Sequence, residues 1–236
     1  LCRIEGIEAK DTYRHHMAKL RRRREAINKL DLKALRYTCE NGTDLLLELP
    51  EGHIWQGGEE ASKDGTIFNA NIPTEEIFSA PQYNGVNGIV YSTKPLIYHG
   101  NTISDFSFTF KEGKIVEYTA KEGYEVLKEL VETDEGSHYL GEVALVDHFS
   151  PISQSNQIFY ETLFDENASC HLAIGASYPT CLKNSDGLSD EELKERGLNH
   201  SLTHVDFMIG HEHMNIKGYT RDGQEVDIMI DGRLQV

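Results

Sequence analysis

The order of hydrophobic and polar positions predicts a helix followed by a strand-rich region. Between residues 12 and 30 the apolar positions share one helix face, and Asp11 with Thr12 offers an N-terminal cap. From residue 33 to residue 50 the pattern changes to the two-residue period of strands, interrupted at Asn41–Gly42. Because this dipeptide favours the tight turns of hairpins, we expect the two flanking strands to pair.

The remainder of the chain mixes the same elements. Strands are predicted at residues 88–92, 96–99, 105–110, 114–119, 141–146, 214–219 and 226–230, and around His204. Helices are predicted at residues 123–132, 157–163 and 190–196, the last with Ser189 as its N-cap and Glu192 completing a capping box. We therefore expect a single strand-rich α+β domain with a curved or barrel-like sheet and flanking helices.

The chain is strongly acidic, with 39 acidic and 23 basic residues and a net charge of -16. A surface of that sign repels phosphate backbones, so we expect no nucleic-acid partner. It suits divalent cations and the free amine of a peptide, although a solvated acidic surface alone also explains it. The basic run Lys19–Arg24 on the first helix is interpreted as a solvated face or a domain contact.

The sequence carries no signal for a membrane or an oxidising compartment. No apolar run reaches the roughly 20 residues of a membrane helix, and no signal peptide is present. The 4 cysteines form no C-x-x-C pair and are expected to be free thiols. We therefore expect a cytoplasmic protein without a membrane partner. The first residue is Leu1 rather than Met, which is typical of a fragment of a longer chain.

The strand around His204 carries an imidazole and a carboxylate on one face. His204 and Asp206 are two residues apart, so a strand places both on one side and Val205 and Phe207 on the other, apolar side. Such a pair is a chelating edge for a divalent metal. It equally fits a hydrogen-bonded His–Asp pair on a solvent face, and the pattern alone leaves both interpretations open.

The segment from Asp165 to His171 is a second candidate. It places carboxylates, Glu166 among them, and an imidazole within one short run, and Tyr178 follows seven residues later. Acids also suit the first turn of a helix without any function, so this cluster has two interpretations as well.

Two further candidates are acids beside apolar residues. Glu75 and Glu76 lie between Pro73 and Pro81, where a loop could bring both carboxylates to one centre or leave them as a surface pair. Glu142 opens an apolar strand, so its carboxylate must either have a buried partner or face a site.

Several enzyme classes lack their signatures in this sequence. There is no G-x-S-x-G nucleophile turn, no G-x-x-x-x-G-K-[ST] phosphate loop and no H-E-x-x-H zinc helix. The run His211–Glu212–His213 lacks the spacing of a zinc helix. No basic cluster lies near the candidate acids, which disfavours a phosphoesterase.

Taken together, these clusters resemble the bacterial metallo-aminopeptidases that include aminopeptidase T, aminopeptidase S and peptidase S. The resemblance covers the chain in the right order and rests on the segments Asn71–Pro81, Gly141–Val146, Leu163–Ala173 and His204–Gly210, with Leu49–His53 and Trp55 in addition.

The resemblance implies a set of metal ligands. They are Glu76, Glu142, His171, Tyr178, His204 and Asp206, with Glu166 as a further candidate. Four carboxylates, two imidazoles and a phenol are too many for a three-ligand catalytic zinc, and two cations sharing a bridging carboxylate fit better. Zinc or cobalt is expected, with manganese or magnesium as alternatives.

The implied function is a metal-dependent aminopeptidase that hydrolyses N-terminal residues from peptides by means of a dinuclear site and metal-activated water. We hypothesise that Glu75, beside Glu76, is the general base. Tyr178 would be an occasional ligand or would donate a hydrogen bond to the oxyanion. The resemblance implies a peptide substrate with a free N-terminus, and a homodimer.

The resemblance also implies a domain boundary. Family members are longer, and residues 1–236 resemble their C-terminal metal-binding domain, without the α/β domain that precedes it. Two alternatives stay open: a metal-binding domain without catalytic competence, and a different dinuclear metallohydrolase.

Overall fold

The structure is a computed structural model that describes residues 8–236. Strands dominate the first half of this range. The helices are α1 (Ala9–Lys29), α2 (Tyr124–Val131), α3 (Pro151–Gln154), α4 (Thr162–Glu166) and α5 (Asp190–Glu195), with single 3-10 turns at Gly136–His138 and Pro179–Cys181. Within residues 8–236, no helix has both the length and the apolar character needed to cross a membrane.

The strands form two main antiparallel sheets and two small hairpins. They are β1 (Leu32–Thr38), β2 (Asp44–Glu48), β3 (Glu60–Ala61), β4 (Ile67–Phe68), β5 (Ile77–Ser79), β6 (Val86–Tyr91), β7 (Leu96–Tyr98), β8 (Asn101–Ile103), β9 (Ser107–Lys111), β10 (Lys114–Thr119), β11 (Leu140–Leu145), β12 (His171–Gly175), β13 (His204–Met208), β14 (Asn215–Thr220), β15 (Glu225–Ile230) and β16 (Arg233–Leu234). The large sheet has the order β10-β9-β6-β2-β1-β14-β15-β16, and the small sheet has the order β13-β12-β11-β5.

The two sheets pack against each other through one hydrophobic core. The ring of Phe207 in β13 lies 5.1 Å from that of Phe108 in β9 and 5.9 Å from that of Phe106. Buried side chains of both sheets belong to a single cluster. Because each such side chain contributes roughly 1.5–3 kcal/mol when buried, the inner face of the small sheet is committed to packing. Polar side chains of this sheet are therefore left to its outer face.

Several predicted elements are confirmed. The predicted hairpin is present, since β1 and β2 pair around Asn41–Gly42 and Gly42 adopts the positive φ that the turn requires. The capping box of α5 is also present, with the Ser189 hydroxyl accepting from the Glu192 amide and the Glu192 carboxylate accepting from the Ser189 amide. The α+β class is confirmed, and the large sheet is open rather than closed into a barrel.

Two local predictions are wrong. The first helix begins at Ala9, so Asp11 lies in its first turn instead of capping it together with Thr12. The helix predicted at residues 157–163 is displaced to α4, because the Asp165 carboxylate accepts hydrogen bonds from the amides of Phe159 and Glu161 and holds that stretch in a loop.

Candidate metal centre

Four of the predicted ligands lie on the outer face of the small sheet, which we call the metal face. In β13, His204 and Asp206 alternate with Val205 and Phe207, whose side chains pack into the core as predicted. Residues paired directly across antiparallel strands project to the same side. His171 opposes Met208 and therefore shares the face of Asp206 and His204.

The pairing of β11 with β12 brings Glu142 onto the same face. Glu142 opposes Ala173, which in turn opposes Asp206 on the next strand, and Gly175 opposes His204. The residues that separate the polar side chains are therefore small. A Cβ atom on Gly175 would lie 2.1 Å from the Thr203 carbonyl oxygen, so β12 can approach this segment only with glycine there.

The loop before β5 places the Glu76 carboxylate on the metal face and the Glu75 carboxylate beside α1. Both carboxylates are buried, which excludes the surface-pair interpretation. Glu76 lies 3.0 Å from His171 Nε2, whereas Glu75 lies 3.7 Å from His16 Nε2 on α1. The loop is fixed in place by the Glu75 amide, which donates to the Asn167 side-chain oxygen at 2.7 Å.

The donor atoms form two groups that share one carboxylate. Glu76, Glu142 and His171 each offer an atom within 4.8 Å of the others, and so do Glu142, His204 and Asp206. The Glu142 carboxylate uses one oxygen toward each group, with Oε1 lying 3.4 Å from His171 Nε2 and Oε2 lying 3.6 Å from His204 Nε2. This is the arrangement that a bridging carboxylate requires.

Both imidazoles are oriented by backbone carbonyls. His171 Nδ1 lies 3.0 Å from the Ser169 carbonyl oxygen, and His204 Nδ1 lies 2.7 Å from the Ala176 carbonyl oxygen. Because a carbonyl can only accept, each Nδ1 donates, which leaves each Nε2 to face the carboxylates. An outer hydrogen bond of this kind is typical of metal-binding histidines.

Three buried atoms at the centre of the cluster have no hydrogen-bond partner: Glu76 Oε2, His171 Nε2 and Asp206 Oδ1. Buried polar atoms are normally hydrogen-bonded, and one left without a partner costs about 1–3 kcal/mol. Glu76 Oε2 and His171 Nε2 belong to one donor group and lie 3.0 Å apart, and Asp206 belongs to the other. The donor set, with carboxylate oxygens and imidazole nitrogens around buried space, therefore fits divalent cations.

Burial perturbs the acids of this cluster. It raises the pKa of Glu142 to about 7, with the neighbouring charges of Asp206 and Glu76 adding to the effect and His171 opposing it. Burial likewise raises the pKa of Glu166, on α4, to about 8. For Asp206, burial raises the pKa, but the contact with the His204 imidazole, 3.5 Å away, and the charges of both imidazoles outweigh burial and lower it below its usual range.

The two histidines respond in the opposite sense to burial. Burial lowers the pKa of His204, but the contact with Asp206 and the charges of the surrounding carboxylates outweigh burial and raise the pKa to about 9. The same balance, with Glu142 and Glu76 as partners, raises the pKa of His171 well above its usual value. In the absence of a metal, the cluster therefore holds protons where cations would otherwise lie.

A pocket of about 250 Å³, the metal pocket, opens onto this cluster. It is lined by Glu60, Asn71, Glu76, Phe78, Glu142, Glu166, Tyr178, Thr180, His204 and Asp206. Tyr178 is 47% exposed and its ring lies 4.8 Å from that of His204. Burial raises the pKa of Tyr178 to about 12, with Glu142 and Asp206 adding to the effect, so its hydroxyl stays protonated.

The predicted site residues thus fall into three sets. The five residues of the two donor groups converge, and Glu166 and Tyr178 reach the same pocket without belonging to either group. Glu75 is not among the residues that line the metal pocket. Sequence reasoning missed four lining residues: Glu60, Asn71, Phe78 and Thr180. Asn71 and Phe78 lie in the segment Asn71–Pro81, on which the family resemblance partly rests, whereas no sequence pattern marks Glu60.

Comparison with known proteins places this site in a family. Residues 1–234 match the family model described as thermophilic metalloprotease (M29). The chain belongs to the M29 metalloprotease family. It is 50% identical to aminopeptidase 2 of Geobacillus stearothermophilus over 98% of this chain and 56% of the relative. It is 53% identical to aminopeptidase AmpS of Bacillus subtilis over 92% of this chain and 53% of the relative.

Solved structures agree with this assignment to M29. The fold matches that of wild-type AmpT from Thermus thermophilus with a TM-score of 0.89 and 38% identity, over 98% of this chain and 61% of that one. A 2,5-dihydroxypyridine dioxygenase from Pseudomonas putida shares the fold alone, with a TM-score of 0.60 and 14% identity. The chain spans about half the length of the curated relatives it matches.

The raised pKa values predict how the stability of the metal-free chain depends on pH. In the folded chain the pKa of Glu166 is raised from an ordinary value of 4.5 to about 8. The pKa of His204 is raised from 6.5 to about 9. A group whose folded pKa is raised contributes stability that is lost as pH rises through that value. Glu166→Gln removes one such group, so in chelator its melting temperature should exceed that of the wild type at pH 9, with a smaller advantage at pH 5.

Glu129→Gln is the matched control, because Glu129 is an exposed acid on α2 whose loss removes the same charge. The difference in melting temperature between Glu129→Gln and the wild type should not increase with pH. A Glu166→Gln advantage of equal size at pH 5 and pH 9 would contradict the perturbed acid cluster.

Proposed function

We propose that this chain is the metal-bearing part of a dinuclear metallo-aminopeptidase. The observation that carries the proposal is the sharing of Glu142 between two donor groups, each with one further carboxylate and one imidazole. Membership in M29, and relatives named aminopeptidases, agree with it. The proposed ligands are Glu76, Glu142, His171, His204 and Asp206, with Glu166 and Tyr178 as additional candidates.

Two divalent cations at this place would polarise a peptide carbonyl and lower the pKa of a water toward about 7. The chain's own residues do the remaining work. Glu76 and His171 hold one side of the cluster, His204 and Asp206 hold the other, and Glu142 spans both. Four carboxylates, counting Glu166, offset the charge of two dications, which makes such a buried cluster tolerable.

The pocket favours the N-terminal end of a peptide. Among residues 8–236, its lining includes the acids Glu60 and Glu166 beside the proposed ligands and no lysine or arginine. A free ammonium group is therefore attracted, whereas a phosphate or an internal carboxylate is repelled. At about 250 Å³ the pocket is also too small for a folded segment. Both properties support release of single N-terminal residues from peptides.

Acid–base roles are proposed for three residues around the cluster. Glu75 is the proposed general base, taking a proton from the attacking water and passing it to the leaving amine. Glu166 competes for this role because it lines the metal pocket, which Glu75 does not. Tyr178, still protonated, would donate a hydrogen bond to the tetrahedral oxyanion.

Four further properties complete the proposal. The mixed oxygen and nitrogen donors suit zinc or cobalt, with manganese or magnesium as alternatives. A homodimer is proposed from the family resemblance, and a cytoplasmic location from the cysteines, which are expected to be free thiols. The substrate is a peptide with a free N-terminus.

Hydrolysis of leucyl-p-nitroanilide after addition of zinc or cobalt tests the activity. Release of p-nitroaniline is expected with either metal, loss of activity in chelator, and no release from N-acetyl-leucyl-p-nitroanilide, because acetylation removes the ammonium that the acidic pocket attracts. Hydrolysis of the acetylated substrate at the same rate would contradict an exopeptidase. A protein that binds two metals and hydrolyses neither substrate would support the non-catalytic alternative instead.

Replacement of Glu75 by Gln tests the general base. Turnover should fall by about 10²–10⁴-fold, the range for loss of general base catalysis, while the metal content stays near two ions per chain. Glu166→Gln is the matched comparison, since both variants leave the five donor residues intact. Near-normal turnover in Glu75→Gln together with a large loss in Glu166→Gln would transfer the role to Glu166.

A further inference from the structure

A second depression, which we call the arginine groove, adjoins the metal pocket. Its volume is about 930 Å³, more than three times the 250 Å³ of the metal pocket. The two share Glu60, Phe78 and Thr180 in their linings, so these residues form the rim between them. The remaining lining residues of the groove come from α1 and from residues 54–67.

Hydrogen bonds hold the residues of the rim in place. Gln56 exchanges two backbone hydrogen bonds with Phe78, of 2.7 and 3.1 Å. The Gln56 side chain donates to the Thr180 carbonyl oxygen at 2.8 Å. Because Phe78 lies on the metal face beside Glu76, an extended peptide that passes over Phe78 leads from the metal pocket into the groove.

The charges of the two depressions differ. The metal pocket is lined by acids and, among the described residues, by no lysine or arginine, whereas the groove lining adds Arg21 and Arg24 of α1 to the acids Glu59 and Glu60. Arg24 is committed to the loop, since its Nη1 donates to the carbonyl oxygens of Gly57 and Glu59. Arg21 makes an ion pair with the Glu59 carboxylate, and its side chain remains 50% exposed.

The arginines of the basic run of α1 differ in their surroundings. Arg23 is buried and pairs with Asp147 at 2.7 Å, next to the strand that carries Glu142. Arg22 is exposed and is not among the groove residues. Arg21 is therefore the guanidinium in this run that is both exposed and turned toward the groove.

We propose that the arginine groove binds the part of a peptide that follows the scissile bond, and that Arg21 recognises the C-terminal carboxylate of short peptides. This inference rests on the proposed aminopeptidase function, which places the free amine in the acidic pocket. A short peptide has its two charges at opposite ends, which matches an acidic pocket joined to a groove that offers the half-exposed guanidinium of Arg21. An extended residue spans about 3.3–3.6 Å, so recognition of both ends restricts substrate length.

Arg21 exchanges partners when the peptide binds. In the free protein its guanidinium is paired with Glu59, and a peptide carboxylate competes for the same donors. Removing the charge of Glu59 therefore strengthens the attraction for the carboxylate, and removing that of Arg21 abolishes it. The two variants are predicted to act in opposite directions.

The test compares kcat/KM for Leu-Gly-Gly with that for its C-terminal amide, using the metal-loaded protein. A charge-assisted contact at a half-exposed site is worth about 1 kcal/mol, so the free acid should be preferred about fivefold by the wild type. The preference should vanish in Arg21→Gln and increase in Glu59→Gln. Arg22→Gln, which removes the same charge from the same helix outside the groove, should behave as the wild type.

The outcomes separate the two proposals. Hydrolysis of leucyl-p-nitroanilide with equal kcat/KM for acid and amide overturns the inference and leaves the proposed function intact. An equal loss of preference in Arg21→Gln and Arg22→Gln overturns it too, because it reports general surface charge. A preference for Leu-Glu-amide over Leu-Gln-amide, without one for the free acid, assigns the groove to acidic side chains instead. Absence of all hydrolysis overturns both proposals.

Discussion

The constraint on which this structure depends is the concentration of buried negative charge around Glu142. Removing an ionised carboxylate from water costs several kcal/mol unless cations or hydrogen bonds compensate it. Here four carboxylates repel one another: those of Glu76, Glu142, Glu166 and Asp206. In the described residues, the imidazoles of His171 and His204 lie among them. Raised pKa values are how the metal-free protein tolerates this imbalance. Divalent cations remove the imbalance directly, because they neutralise the carboxylates without requiring protons.

The fold is arranged so that this charge can be held in place. The inner face of the small sheet packs against the large sheet through Phe207 and its neighbours, which fixes the strands rigidly. The outer face carries the polar donors, separated by small residues such as Ala173 and Gly175. Packing on one side thus positions ligands on the other. Phe78 of β5, with Glu60 and Thr180, lines both the metal pocket and the arginine groove, so the two depressions adjoin.

Sequence patterns predicted the parts of this arrangement that are local. The alternation around His204 and Asp206 was sufficient to place both on one face, and the capping box of α5 required only two residues. Strand β12 was missed, since a short apolar run of five residues cannot be assigned to helix or strand by its period. The sharing of Glu142 depends on the register of β11 with β12, which shifts between Leu140 and Glu142. No pattern within one strand encodes that register, and the orientation of Glu75 toward His16 is equally non-local.

The central claim is that Glu142 joins two metal ions. Anomalous diffraction from crystals grown with zinc tests it most directly. The account predicts two peaks roughly 3.5–4 Å apart, the separation of two-metal hydrolytic sites, on either side of the Glu142 carboxylate. One peak should lie beside His171 and the other beside His204. A single peak, or peaks that do not contact Glu142, would contradict it.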